Sequence, residues 1–335
     1  MKQHLPIFKS VTVAVLSMAF AACNLNIPPQ DQYSDPDAIT TVSNARSLLA
    51  SAYLAYPHEE YAFSLLGNDF VPTSLSVKDI SSLHLYNWDD REISKLAPTL
   101  WQGYYNVIAQ CDALLERMQD VKTQGQTEAT EKQAIIAEAK TLKALSYFQL
   151  LRVFAPAYDL NPDAPGIILK TQLGIEDKPR ASIRDVVAMI RHLLNEAVQT
   201  PHAPARNGWL SQTAVQYLLA DVALYAGDNE AAITYGKSVL DKSNAYFTPN
   251  VINSLWQSNS NPARIFAFNI HTAYYVDIQS SAREGDYFCL NPQLDYVASD
   301  VRRASFVYPF VMDGTSRTLF GKYNRANKTN QAIGY

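Results

Sequence analysis

Trp88 stands in the densest run of ligand-handling residue types in the chain, Tyr86-Asn87-Trp88-Asp89-Asp90-Arg91. An indole presents a flat apolar face with one polar edge. Asn87 beside it offers a donor and an acceptor, and Arg91 a planar fork of donors. Asp69 lies in the same stretch, within Leu66-Gly67-Asn68-Asp69-Phe70. This is the composition of a stacking platform with polar partners at its rim. Residues 62–96 show no helical period, and long non-repetitive segments on helical scaffolds are where binding residues collect. The competing reading is a packed excursion in which Tyr86 and Trp88 fill gaps. Two further aromatic pairs, Tyr274-Tyr275 and Tyr287-Phe288, fall in a loop-rich region. Tyr274, Tyr275 and Tyr287 are candidates for an opposing wall, against the alternative that they only pack.

Catalytic patterns do not appear. The sequence holds no Gly-x-Gly-x-x-Gly, Walker A or Gly-x-Ser-x-Gly motif. No two histidines stand at metal-ligand spacing on one helix, and no cofactor or metal is implied. Asp89 and Asp90 are sequence neighbours whose side chains diverge, unlike the facing carboxylates of a glycosidase. Cys23, Cys111 and Cys289 include no Cys-x-x-Cys pair, so neither zinc nor dithiol chemistry is indicated. With no nucleophile and base to nominate, the chain is expected not to be an enzyme.

The elements that must position such a platform are helical. The 335 residues are 47% hydrophobic, enough for a sizeable core, and 12 Gly with 17 Pro exclude low complexity. A net charge of -4, without a basic stripe, excludes a nucleic-acid surface. Residues 138–154 are the apolar heart of a long central helix over 128–154. Ala139, Leu142, Leu145, Phe148, Leu150 and Val153 make a wide apolar stripe, with Lys140, Lys143 and Arg152 on the wet side. Small Ala139, Ala144 and Ser146 allow close approach of another helix, and Pro156 stops the helix. The spacing predicts further helices over 38–56, with Asp35 or Asp37 at its start, and from Pro98 to Met118, with Cys111 a buried thiol. Ser182 caps another, whose core face is Ile183, Val186, Val187, Ile190, Leu193, Leu194 and Ala197, with His192 facing solvent or a satisfied neighbour. Residues 211–225 and 228–241 make a helix pair turning at Gly227-Asp228. The spacing of Leu219, Ala220, Ala223, Gly227, Ala232 and Ile233 is similar to a tetratricopeptide repeat. The fold class expected is mainly α, an α-solenoid of antiparallel helix pairs with a long loop-rich ligand-binding region.

The N-terminus reads as an export signal over 1–22. Lys2, His4 and Lys9 precede an apolar run over 11–22 that is too short to span a bilayer. It ends Ala21-Ala22-Cys23, which resembles a lipobox and marks Cys23 for lipidation. The alternative is an ordinary secretory signal with an incidental cysteine. Residues 23–37, with Pro28, Pro29 and Pro36, read as a flexible tether. Residues 38–335 then form one domain, a helical scaffold over 38–243 and a loop-rich part over 244–335.

Several of these stretches together resemble one family. They are the lipobox cysteine, the helix ending Leu48-Leu49-Ala50-Ser51-Ala52-Tyr53, Leu100-Trp101-x-x-Tyr104-Tyr105-x-x-Ile108, and Glu138-Ala139-Lys140-x-Leu142-Lys143-Ala144-Leu145-x-Tyr147-Phe148-x-Leu150-Leu151-Arg152-x-Phe154. Pro179-Arg180-Ala181-Ser182-Ile183 and the repeat over 214–228 complete the set. The chain resembles the SusD/RagB outer-membrane lipoproteins of Bacteroidota. The resemblance implies a surface-exposed lipoprotein on the outer membrane, held by its lipid anchor. It implies a glycan ligand, or a peptide as in the RagB branch, delivered to a SusC-like TonB-dependent transporter. It also implies an aromatic platform with Asp, Asn and Arg partners in the region of Trp88. Relatives in this family continue with a further helix pair, which this chain is expected to lack. Two other readings stay open: a tetratricopeptide-like scaffold that binds only proteins, and a surface hydrolase.

Overall fold

The computed structural model describes residues 39–68, 70–72, 80–206, 208–242, 248, 251–252, 261, 263–270, 288–290, 296–312, 315–320 and 331–334. The candidates Cys23, Asp69, Tyr274, Tyr275 and Tyr287 lie outside the described residues. In chain order the elements are α1 (Val42–Leu54), α2 (Glu60–Leu66), β1 (Phe70–Pro72), α3 (Ile80–Tyr86), α4 (Asp90–Arg117), α5 (Gly125–Phe154), α6 (Ile183–Ala197), α7 (Gln212–Tyr225) and α8 (Asn229–Lys242). They continue with β2 (Ala267–Ile270), β3 (Phe288–Leu290), α9 (Val301–Phe306), β4 (Val307–Met312), β5 (Thr315–Phe320) and β6 (Gln331–Gly334). The protein is mainly α, as expected. Antiparallel strands order as β1-β3-β5-β4, and β2 pairs with β6.

The central helix is α5. Its 30 residues span about 45 Å at 1.5 Å per residue. It packs between α4 and α6 and also meets α1 and α7. That surround explains why every residue from Glu138 to Leu151 except Lys140 is buried. The expected wet side is therefore corrected at Lys143, which is buried and ion-paired with Asp112 of α4. Val153, expected on the core stripe, is 38% exposed.

Buried polar groups on α5 find partners from other elements. Glu138 accepts from the Arg46 guanidinium at 2.6 Å and from the Tyr53 hydroxyl at 3.0 Å. Arg46 also reaches Glu131 at 2.7 Å. The Tyr53 hydroxyl accepts the Leu210 N–H at 3.1 Å, tying α1 to the segment before α7. Burial pushes the Glu138 carboxyl up, against the pull of Arg46.

Local signals account for several helix ends. Thr41 has extended backbone and accepts the Asn44 N–H at 3.1 Å, so α1 starts at Val42 rather than near Asp35 or Asp37. Ser182 caps α6 by accepting the Asp185 N–H at 3.1 Å, and the predicted core face of α6 is buried at every position named. His192 is exposed, 3.7 Å from Glu196. Gly227 takes φ 74° between α7 and α8, where a Cβ would strain the backbone. Ile233, expected at the touching face of that pair, is exposed instead. Cys111 is fully buried, and burial pushes its thiol up, away from reactivity.

Residues 62–96 depart from the expected irregular excursion. They contain part of α2, all of α3 and the first turns of α4. Helix α4 does not open at Pro98 but carries it inside. Asp89 starts the helix instead, its carboxylate accepting the Arg91 N–H at 3.0 Å, with Asp90 and Glu92 in the first turn. Pro98 removes one backbone donor from the helix, and α4 continues through it.

Candidate functional site

The turn between α3 and α4 carries the aromatic candidate. The Asn87 and Trp88 N–H groups donate to Leu83 O at 3.1 Å and Leu85 O at 3.0 Å. The Asp89 N–H reaches His84 O at 2.9 Å, closing a tight reversal. Trp88 sits at its apex with φ 55°, a left-handed conformation that an indole-bearing residue rarely adopts. Its ring is not tucked away to offset that strain: Trp88 is 63% exposed. The indole N–H donates to Leu66 O at 3.2 Å, which fixes the ring edge against the end of α2. Strained backbone that holds an exposed aromatic is an arrangement typical of binding positions.

Trp88 borders an apolar cleft of about 460 Å³. Three elements build it. Phe63 and Leu66 come from α2, Ile93, Leu96 and Leu100 from α4, and Arg152, Val153 and Phe154 from the end of α5. Behind the cleft, Trp101 meets Phe154 edge-on at 5.0 Å, and the Arg180 guanidinium covers Trp101 at 4.9 Å. Arg180 also donates to Phe154 O at 2.9 Å and Gly166 O at 2.8 Å, so the connector after α5 closes on the helix end. Arg152 is held over the Phe148 ring at 4.5 Å and donates to Gln149 at 2.8 Å.

The structure brings some of the predicted residues together. Tyr86, Asn87 and Trp88 share one turn, with Asn87 exposed and Tyr86 half-buried. Arg91 is exposed but bound to Asp89 at 2.9 Å, and the guanidinium holds that carboxyl well below the usual range. It stabilises the turn more than it offers a free fork to a ligand. The α4 and α5 walls were absent from the sequence-based candidates. Their signal was present, since Ile93, Leu96, Ala97 and Leu100 follow helical spacing.

Chemically the cleft offers surface rather than reactivity. Among its described lining residues the sole charged side chain is Arg152, and there is no carboxylate, histidine or thiol. Among the described residues no cluster of three His, Cys, Asp or Glu side chains could hold a metal ion. Nor is any described helix long and apolar enough to cross a membrane. A volume within the roughly 300–1,000 Å³ of ligand clefts, walled by apolar groups and flanked by an exposed indole, suits a ligand with an apolar face.

Residues 29–224 match the SusD-like family, described as "Starch-binding associating with outer membrane". The chain belongs to the SusD-like family. A SusD-like protein of Bacteroides ovatus is 24% identical over 275 residues, covering 76% of this chain and 48% of that relative. The chain thus spans about half the length of that curated relative. Among solved structures, a SusD-like carbohydrate binding protein from Bacteroides vulgatus superposes with a TM-score of 0.69 at 19% identity, covering 88% of this chain and 68% of that one. A laminarin binding SusD-like protein gives 0.64 at 17% identity, covering 88% and 77%. At such identities the structures establish a shared SusD-like fold.

Proposed function

We propose that this SusD-like chain is a surface glycan-binding lipoprotein, anchored in the outer membrane, that hands oligosaccharides to a SusC-like TonB-dependent transporter. The observation that carries the binding site is the exposed, backbone-strained Trp88 at the rim of the apolar cleft. Sugars present flat C–H patches with a rim of hydroxyls, and an aromatic plane beside hydrogen-bonding side chains matches both. The family description and the glycan-binding relatives support a sugar over other ring ligands. A peptide, as in the RagB branch, is the other ligand class of this reading.

Trp88→Ala tests the site. Saccharide affinity should fall by roughly 0.5–1.5 kcal/mol, about two- to twelvefold in Kd. The thermal midpoint should stay almost unchanged, because the ring is largely exposed and alanine inherits the same left-handed backbone. Calorimetric titration and a thermal melt of both proteins check this. A large drop in midpoint would place Trp88 in the core.

The anchor reading rests on Cys23 after Ala21-Ala22. Cys23→Ala should move the protein out of the membrane fraction or stall its maturation, read by fractionation and intact mass. A mature, membrane-bound variant would sink it. A tagged wild-type chain isolated from native membranes in mild detergent should bring down a TonB-dependent barrel, and its recovery alone would count against the partner.

One observation favours a second reading, a tetratricopeptide-like scaffold that binds only proteins. Leu224, Ile233 and Leu240 are exposed on α7 and α8, an apolar presentation suited to a protein contact. Saccharide titration of tryptophan fluorescence separates the two, since a pure scaffold shows no change.

A further inference from the structure

A second pocket, sharing no residue with the Trp88 cleft, has a different chemistry. It measures about 220 Å³, about half the volume of that cleft. Stacked and largely buried aromatic rings form its base. Tyr53 and Trp209 stack with ring centroids 4.4 Å apart and planes 15° from parallel. Phe268 lies 6.1 Å from Tyr53 and meets the His58 ring at 5.2 Å. The Ala267 N–H donates to Gly208 O at 3.1 Å, which sets the start of β2 beside the Trp209 segment. Leu54, 83% exposed at the end of α1, flanks the opening.

The polar groups here are a cation and a neutral imidazole. The Arg206 guanidinium lies 5.2 Å from the Trp209 ring centroid. Among the described residues it has no carboxylate partner, and the described lining of the pocket contains no acidic side chain. The neighbouring Arg46, 5.7 Å from the same ring, contrasts with it, because Glu131 and Glu138 answer its charge. His58 is pushed down to about 4 by burial, so it is neutral at physiological pH, and its Nδ1 is buried without a hydrogen-bond partner. A guanidinium without a carboxylate partner of its own, beside apolar side chains, favours a ligand that joins one anionic group to an apolar face.

We propose that this pocket is a separate subsite for a single carboxylate-bearing pyranose, a uronate unit of an acidic glycan. The sugar ring would lie at the mouth of the pocket against Leu54 and beside Trp209, and its carboxylate would take the Arg206 fork. The volume is too small for an oligosaccharide, and a lone guanidinium pairs bidentately with one carboxylate. Choosing a sugar over another ring carboxylate rests on the glycan-binding reading. The site itself rests on its own residues and not on Trp88.

The test is a ligand-observed NMR titration of the full chain with methyl glucuronide, methyl glucoside and benzoate. It compares wild type with Arg206→Ala and Arg206→Lys. The glucuronide should bind, and Arg206→Ala should weaken it on the order of tenfold, as loss of a charge-assisted hydrogen bond does. Arg206→Lys should recover part of that loss. Arg206→Ala should leave glucoside binding unchanged, whether or not Trp88 holds neutral saccharide, because Arg206 does not line the Trp88 cleft. Arg206 is exposed, so its variants should melt with wild type. Unchanged glucuronide affinity in Arg206→Ala would overturn the site, as would an equal loss of glucoside affinity in that variant. Benzoate binding as tight as glucuronide would overturn the sugar assignment.

Discussion

Glu138→Ala should lower the unfolding free energy by about 3–5 kcal/mol, the cost of breaking a buried ion pair from one side. Glu138 is 0% exposed in the middle of α5. Its two oxygens take the Arg46 guanidinium at 2.6 Å and the Tyr53 hydroxyl at 3.0 Å. Alanine leaves the Tyr53 proton without its acceptor in a fully buried site and leaves Arg46 to Glu131 alone. The stacked Tyr53 and Trp209 rings rest on that arrangement, so the effect reaches the segment before α7. Burial already disfavours the charged carboxylate, so the pair is a weak net stabiliser even though half of it is damaging. The double variant Arg46→Met, Glu138→Leu should therefore lie closer to wild type than Glu138→Ala does. Urea titration of the three proteins checks the order. A single-variant loss under about 1 kcal/mol would mean that water reaches the site.

Legibility in the sequence followed contact range. Helix α6 was readable throughout, because a serine cap and an uninterrupted apolar period are both local signals. The central helix was readable for the same reason, but the burial of Lys143 was not. Whether a lysine faces water depends on what lies opposite, and Asp112 sits on another helix. Glu138 is harder still, since Arg46 is on α1. Pro98 misled outright. Proline suits a first turn, and reading it so cut the Ile93, Leu96, Ala97, Leu100 period in half and hid one wall of the cleft. Trp88 was found by residue type, while its left-handed backbone and exposure come from the packing of α3 against α4. The Arg206 pocket left no sequence signal, because α1, the Trp209 segment and β2 meet there from distant parts of the chain.

Phe148→Ala is the second large effect, expected at about 3–5 kcal/mol. The ring is 1% exposed and meets Tyr225 of α7 edge-on at 5.4 Å. Its removal leaves a cavity where α5 and α7 touch, and a helix enclosed by α4, α6, α1 and α7 has little freedom to collapse into it. Phe148→Leu keeps much of the volume and should cost under about 1.5 kcal/mol. A loss well below 1 kcal/mol for the alanine variant in denaturant titration would show that the site repacks freely. Phe148 also supports function at one remove. The Arg152 guanidinium lies over its ring at 4.5 Å, and Arg152 forms part of the cleft beside Trp88. Without that ring the guanidinium keeps Gln149 and Asp221 but loses the surface it lies on, so saccharide affinity of the folded protein should fall modestly along with stability. Ile190→Val, on the core face of α6 and outside the cleft lining, should lower stability by about 0.5–1.5 kcal/mol and leave affinity unchanged. Equal loss of affinity in both variants would mean that binding follows global stability rather than the Phe148–Arg152 contact.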